Sequence, residues 1–466
     1  MTTQPKKART KRKSSVVNDK TPPVYFTIFE IESIFCFKER QELNLLDKNN
    51  HPAQWTVILG DNGVGKTTLL RCLACMEMKL DSFEELDDEY RYYSPIISDS
   101  FKLINIWNEL ALLDFSHELA QVHLYYTKDI TLKSFKEHND LEIEVYDDIS
   151  VGIGSYCNIS GGALNGLICY GYGATRRMGE TLLRDRLPSE NSASLFSDSA
   201  TLVNAEEWLL QTDYAIKSSS GKPHNRFKKE FDIIIESLKR ILPDVTDIRI
   251  ALADEFHSRP RAEFKTPYGW VSLSSLGLGY RTTIAWMVDL AVRLFKRYPD
   301  SEDPLAEPAI VLVDEIDLHM HPKWQRDIMQ FLTDRFPNTQ FIVTAHSPLV
   351  VQAAQDANIV LLRQEGDRVV IDNNPEIIDN WRVDQVLTSV FEIPSARPPQ
   401  IEKLLAERQE ILSKPKISKA DKAKLKELEE KIGALPTAEN PDDIKAMDII
   451  RRAAKLLEKS GAEVTE

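Results

Sequence analysis

No stretch of this 466-residue chain approaches the ~20 consecutive apolar residues that a bilayer-spanning helix requires, and the N-terminus is basic and polar without an apolar signal core. A membrane partner is therefore not expected, and the expected location is the cytoplasm. Cysteine is scarce: five residues, an odd number without paired spacing, fit a reducing compartment rather than a disulfide framework. Cys72 and Cys75 have the spacing of a zinc half-site, but no second ligand pair follows, so they read as packing residues. Sustained heptads are missing, which excludes long coiled-coil arms. Glycine is also sparse, 18 in all, and eight of these crowd between Gly152 and Gly179. What remains, 42% hydrophobic and 28% charged residues, is the composition of a large globular protein with room for two or three structural units. The charge is uneven. The first 20 residues carry seven Lys/Arg against Asp19, net +6, and leave −20 for the body. Such a tail either holds nucleic-acid phosphates through counterion release or is simply solvated, and an acidic body argues against broad nonspecific DNA binding.

The densest chemistry lies at Gly60-Asp61-Asn62-Gly63-Val64-Gly65-Lys66-Thr67-Thr68, after the apolar run Trp55 to Leu59 and before a helix expected over Leu69 to Leu80. In that context the segment is a phosphate-binding loop. The glycines let backbone N–H groups close around phosphates, Lys66 reaches the terminal ones, and the Thr67 hydroxyl ligates Mg²⁺. ATP or GTP binding follows. A second apolar strand, Ala309 to Val313, ends in Asp314-Glu315. Carboxylates at the C-terminal edge of a sheet suit a nucleotide and its metal, with Asp314 as the Mg²⁺ residue and Glu315 polarising the attacking water. Standing alone, the pair would read as a solvated acidic turn. A third strand, Gln340 to Thr344, runs into Ala345-His346-Ser347-Pro348 and brings an imidazole to another strand end. Lone histidines are usually structural; this position favours a γ-phosphate contact for His346. Between the motifs, Leu273-Ser274-Ser275-Leu276-Gly277-Leu278-Gly279-Tyr280-Arg281 runs into an amphipathic helix, Thr282 to Phe295, so that Gly277 and Gly279 expose backbone donors to a second phosphate.

Motif spacing outlines the architecture. Lys66 and Asp314 are 248 residues apart, so a large segment is inserted between the phosphate loop and the rest of the core. The expected organisation is a basic disordered tail (1–20), a first core part with the phosphate loop (21–80), and an insertion with a glycine-rich segment and a helical subdomain (81–246). A second core part (247–380) and a C-terminal helical region for a partner or oligomer (381–466) follow. Within the insertion, Leu167 to Arg177 reads as an apolar strand broken by glycines and closed by Arg176 and Arg177. An arginine near the nucleotide or at an interface, and an ordinary surface cation, are equally good readings. Helices are expected from Asn204 and over Arg226 to Ile241, strands at Asp247 to Leu252 and Arg261 to Leu273, a Lys/Glu-rich helical hairpin over Ile401 to Leu412 and Ala420 to Ile432 joined near Pro415, and a last helix over Asp442 to Lys459.

The order of phosphate loop, glycine pair, Asp314-Glu315 and His346 resembles the ATP-binding-cassette class. The fold implied is α/β: an ABC-type P-loop ATPase head with a large helical and mixed insertion and a C-terminal helical extension. The resemblance implies ATP and Mg²⁺ as cofactors and a homodimer or higher oligomer of heads. In that class two heads pair head to tail and each signature loop covers the ATP held by the other. Two positions depart from the class: with Gly279 as the signature glycine, Gly277 stands where the serine is expected, so that either Ser275 substitutes under a shifted register or backbone N–H groups serve alone and trans-hydrolysis is slow, and His321 stands where transporters carry an aspartate. The Tyr-Gly-x-x-Arg run, Ser194 to Leu209, Leu278-Gly279-Tyr280-Arg281-Thr282 and Ala285 to Leu290 further resemble the PtuA family, ATPase subunits of Septu antiphage systems and related retron modules, from about Val57 to Leu387. That resemblance implies a separate HNH nuclease subunit, PtuB-like, and contact with DNA as a sensor. No nuclease motif is visible in this chain, so the output would come from another polypeptide. A DNA repair or structural-maintenance ATPase acting on DNA is the alternative; the long insertion and unusual signature disfavour a transporter ATPase.

Overall fold

The computed structural model describes 24–32, 34–74, 78–80, 93–95, 120–127, 139–147, 155–160, 168–179, 191–354, 356–375, 383–391, 393, 398–412 and 418–432. The chain divides into two units, 1–391 and 392–466. The first is organised by a six-stranded sheet in the order Arg368–Asp372, Asn358–Glu365, Trp55–Gly60, Thr339–Thr344, Ala309–Val313, Cys169–Tyr172. Every neighbouring pair is parallel except the first, an antiparallel hairpin. Trp55–Gly60, Ala309–Val313 and Thr339–Thr344 are buried at every position, as strands covered on both faces must be.

Their side chains alternate between two cores. Val57, Leu59, Val311 and Val313 face a core that takes in the helices Ala205–Ser218, Gly221–Ile241, Leu278–Arg297 and Pro322–Arg335. Ile58, Ile310 and Leu312 point the other way, toward the helix Lys66–Ala74 and the strand Tyr25–Glu32. That strand belongs to a second, antiparallel sheet, ordered Gln41–Asn44, Tyr25–Glu32, Ala120–Thr127, Asn139–Asp147, Ser155–Ser160. Three of its strands fall in the span read as an insertion, and so does Cys169–Tyr172, an edge strand of the central sheet. Leu141 to Val145 alternates apolar and polar residues, a period-2 strand signal that the mixed composition of the span hides.

Several boundaries differ from expectation for local reasons. The phosphate-loop helix stops at Ala74 and a strand, Met78–Leu80, replaces its expected end. The helix expected from Arg226 begins at Gly221, and the one expected from Thr282 begins at Leu278, with Gly277 at its N-cap. Asn204 caps the next helix as expected, its side chain accepting from Glu207 N. Cys72 is buried, and burial pushes its thiol up to about 12, in keeping with a packing role. Cys75, the tail 1–20, Pro415 and 442–459 lie outside the described residues. In the second unit, the helices Pro399–Leu412 and Lys419–Ile432 match the expected hairpin, with Lys424 Nζ 3.6 Å from Glu407. Among the described residues no helix is long and apolar enough to cross a membrane.

One buried polar knot ties the helix Leu278–Arg297 to the sheet. Asp289, with no exposed surface, accepts from Tyr172 Oη (3.0 Å), Arg293 Nε (2.6 Å) and the backbone N–H of Val203 (3.0 Å), while Arg293 Nη1 donates to Asn191 (2.9 Å). Burial first, and then the Asp289 charge, hold the Tyr172 phenol well above its ordinary range. A buried ion pair is weak evidence for stability, but removing one partner leaves the other charge stranded. Asp289→Ala is expected to destabilise the first unit by about 3–5 kcal/mol, read as a lowered thermal midpoint. A loss below about 1 kcal/mol would show that the remaining partners absorb the charge.

Candidate nucleotide site

Strand register assembles the site. Val313 pairs with Val343 on one side and Tyr172 on the other, so the residues that follow, Asp314, Thr344 and Gly173, emerge side by side at the C-terminal edge of the sheet. Ile58 pairs with Thr344, which delivers Gly60 and the phosphate loop to the same edge. Ligands of open α/β sheets bind at this edge because the loops there are free to diverge.

The loop itself is shaped by its neighbours. Gly65 has φ +87°, and a Cβ on it would lie 2.7 Å from Cys36 Sγ and 2.9 Å from the Phe37 ring, so the turn at 34–37 admits only glycine. Asp61, Asn62 and Gly63 are exposed at the crest, Thr68 is half-buried in the first helical turn, and Gly60 ends the strand. Lys66 is buried, and its Nζ donates to the carbonyls of Gly60 and Asp61, both at 2.7 Å. Burial pulls this ammonium below the usual lysine range, against the opposing pull of Asp314, Glu315, Asp61 and Asp317.

Thr67 Oγ1 donates to Asp314 Oδ2 at 2.7 Å, so two oxygen donors of the kind Mg²⁺ prefers meet beside the helix N-terminus. The other Asp314 oxygen, Oδ1, accepts from Thr344 Oγ1 at 2.6 Å, and the same hydroxyl accepts from Glu315 N at 2.7 Å. Glu315 has φ +48°, a left-handed conformation that costs a glutamate about 1–3 kcal/mol and persists only when its surroundings enforce it. Its Oε1 lies 4.0 Å from His346 Nε2, both side chains half-exposed. The His346 backbone N–H donates to Asp317 Oδ2 at 3.0 Å.

The structure thus brings Lys66, Thr67, Asp314, Glu315 and His346 together. Gly277 and Gly279 sit apart from this cluster, at the start of the helix Leu278–Arg297. Gly277 is exposed; at Gly279 a Cβ would overlap the carbonyl oxygen of His319, itself at φ +62°. Tyr280 stacks edge-on against Trp324 at 4.5 Å, which fastens the same helix start to the helix Pro322–Arg335. Pro322 is the first residue of that helix, as expected, with His321 as its N-cap. Among the described residues no group of three or more His, Cys, Asp or Glu is placed to hold a metal, so His319 and His321 join no such cluster.

Three participants were overlooked in sequence or left open there. Thr344 and Asp317 were passed over, although each stands within two residues of a chosen site residue. Arg176 is not the surface cation of its second reading: it is 2% exposed, and its guanidinium donates to the carbonyls of Gly173 (3.2 Å), Asp314 (2.8 Å) and Glu315, beside the candidate nucleotide residues.

Comparison with known proteins matches 176–352 to the family described as "AAA domain, putative AbiEii toxin, Type IV TA system". Septu protein PtuA of Bacillus mycoides (strain KBAB4) is 26% identical over 405 residues, 86% of this chain and 49% of that protein. The chain is similar to the PtuA-type ATPases. The "Retron Ec83 probable ATPase" of Escherichia coli is 31% identical over 53% of this chain and 42% of its own length, and the "Retron Vc95 probable ATPase" of Vibrio cholerae 34% over 36% and 35%. The chain spans about half or less of these curated relatives. The PtuA resemblance read from the sequence motifs is borne out, and the fold is α/β, built on a largely parallel sheet with the phosphate loop at its C-terminal edge. Solved head domains align with it, among them the "SMC head domain from Thermotoga maritima", 13% identical over 75% of this chain and 98% of that one with a TM-score of 0.39.

Gly279→Ala is expected to cost about 2–3 kcal/mol, because the new methyl must displace the His319 backbone. Gly277→Ala, with only Tyr280 Cδ2 3.9 Å away, should cost under about 1 kcal/mol. Thermal denaturation of the two variants measures the difference, and equal midpoints would contradict the close packing.

Proposed function

We propose that the chain is the ATP-binding ATPase subunit of an antiphage defence complex, closing head to tail with a second copy around Mg-ATP and controlling a separate HNH-type nuclease subunit. The observation that carries this reading is the cluster of Lys66, Thr67, Asp314, Glu315 and His346 at the C-terminal edge of one parallel sheet. Its donors match a nucleoside triphosphate: cationic and backbone N–H groups for phosphate oxygens, a hydroxyl and a carboxylate for the metal. Bound Mg²⁺ would neutralise charge on the phosphate oxygens, held by Thr67 and Asp314. On that reading Lys66 exchanges the Gly60 and Asp61 carbonyls for phosphate oxygens, Asp61, Asn62, Gly63, Gly65 and Thr68 line the phosphates, and Glu315 orients the attacking water. His346 senses the terminal phosphate, and Gly277 and Gly279 offer N–H groups to the nucleotide of the second copy.

The similarity to Septu and retron ATPases supports the defence role; the nuclease partner rests on the family resemblance of the sequence motifs alone. The half-exposed carboxylate of Glu315, beside His346, and the exposed Gly277 leave both accessible to a second copy, which favours a site completed from outside.

Lys66→Ala should weaken ATP binding by about 10- to 100-fold while the circular dichroism spectrum and melting point stay unchanged. Glu315→Gln should keep ATP affinity and accumulate an ATP-bound dimer, detected by light scattering during size-exclusion chromatography. Unaltered ATP affinity in the first variant, or a strictly monomeric second variant, would remove the support for this mechanism.

A further inference from the structure

Glu315 needs two anchors to remain left-handed. On its N–H side stands the Thr344 hydroxyl, at 2.7 Å. On its carbonyl side stands Arg176, which also holds the carbonyl of Asp314 at 2.8 Å. We propose that Arg176 is a positioning residue for ATP hydrolysis: its guanidinium fixes the peptide units of Asp314 and Glu315, and so the aim of both carboxylates, without touching the nucleotide. The proposal deepens, and rests on, the reading of Glu315 as the residue that orients the attacking water.

Two observations separate this role from an arginine that reaches for phosphate or merely decorates the surface. The side chain is buried, and its Nε and one Nη are committed to carbonyl oxygens of Gly173, Asp314 and Glu315. Its own backbone is fixed: φ at Arg176 is +36°, Asp314 N donates to Tyr172 O at 2.8 Å, and Ser194 Oγ bridges Gly171 O (3.0 Å) and Gly173 N (3.2 Å). A Cβ at Gly173 would overlap the carbonyl of Ser194, so the loop is pressed between the helix Ala193–Phe196 and the Asp314 strand end. Lysine could carry the charge but not the fork, which binds two acceptors in fixed directions.

The test uses the full-length protein and separates binding from turnover. Arg176→Lys is expected to keep the affinity for a fluorescent ATP analogue within about threefold while single-turnover ATP hydrolysis slows about 10- to 100-fold, the scale of a small misplacement of a reacting group. In a Glu315→Gln background, which is itself slow, the same substitution should cause no further loss. Arg176→Ala serves as a second variant, with turnover partly restored by added guanidinium ion. Turnover near wild type in Arg176→Lys, additive losses in the double variant, or affinity and melting point falling in step with turnover would each overturn the positioning role. If Glu315→Gln hydrolyses ATP at the normal rate, the assignment of Glu315 fails and this proposal falls with it; if Glu315→Gln is slow and Arg176→Lys is not, only the proposal falls.

Discussion

The hydroxyl of Thr344 is the point on which the site geometry turns. It donates to Asp314 and accepts from the N–H of Glu315, so one atom sets the orientation of a carboxylate and the backbone of its neighbour. Because Asp314 also accepts from Thr67, the hydroxyl chain runs from the phosphate-loop helix through the carboxylate to the strand that leads to His346. That chain exists only while Val313 and Val343 stay in register. A slip of one residue would turn Thr344 to the opposite face of the sheet, and the two strands, buried at every position, resist it.

The same edge is braced from behind. Asp289 ties the helix Leu278–Arg297 to Tyr172, the last residue of the edge strand, and the loop leaving that strand carries Arg176 back to Asp314 and Glu315. At its N-terminus the helix is pressed onto His319, four residues beyond Glu315, through Gly279. The helix that begins with the glycine pair is therefore connected to the carboxylate strand at both the turn 315–320 and the strand end at 172. A contiguous set of packed groups of this kind is the physical means by which a contact at one end can bias the other, without by itself demonstrating that it does.

Much of the site was legible because its parts are contiguous in the chain. The phosphate loop, Asp314-Glu315 and His346 each follow an apolar strand directly, and local patterning suffices to place such residues at a sheet edge. Arg176 was noticed but not resolved, since a strand-closing arginine looks alike whether it faces solvent or carbonyl oxygens, and two of its three acceptors lie 138 and 139 residues away. Thr344 gave no signal, being one β-branched residue among many in a strand. The antiparallel sheet that joins Tyr25–Glu32 to strands between 120 and 160 was also hidden, because no local pattern says which strands pair across that separation.

The amino-acid sequence by itself determined the phosphate loop, the kind of strands that carry it and the chemistry of the residues at their ends, for these depend on backbone freedom at glycine and on runs of apolar side chains. Only the tertiary structure decided which strands are neighbours and in what register, and hence that Thr344, Asp314, Glu315 and Arg176 share one cluster. The reason is that hydrogen bonds between distant peptide units have no representation along the chain: they become determined when two cores close on opposite faces of a sheet and leave one register that buries both.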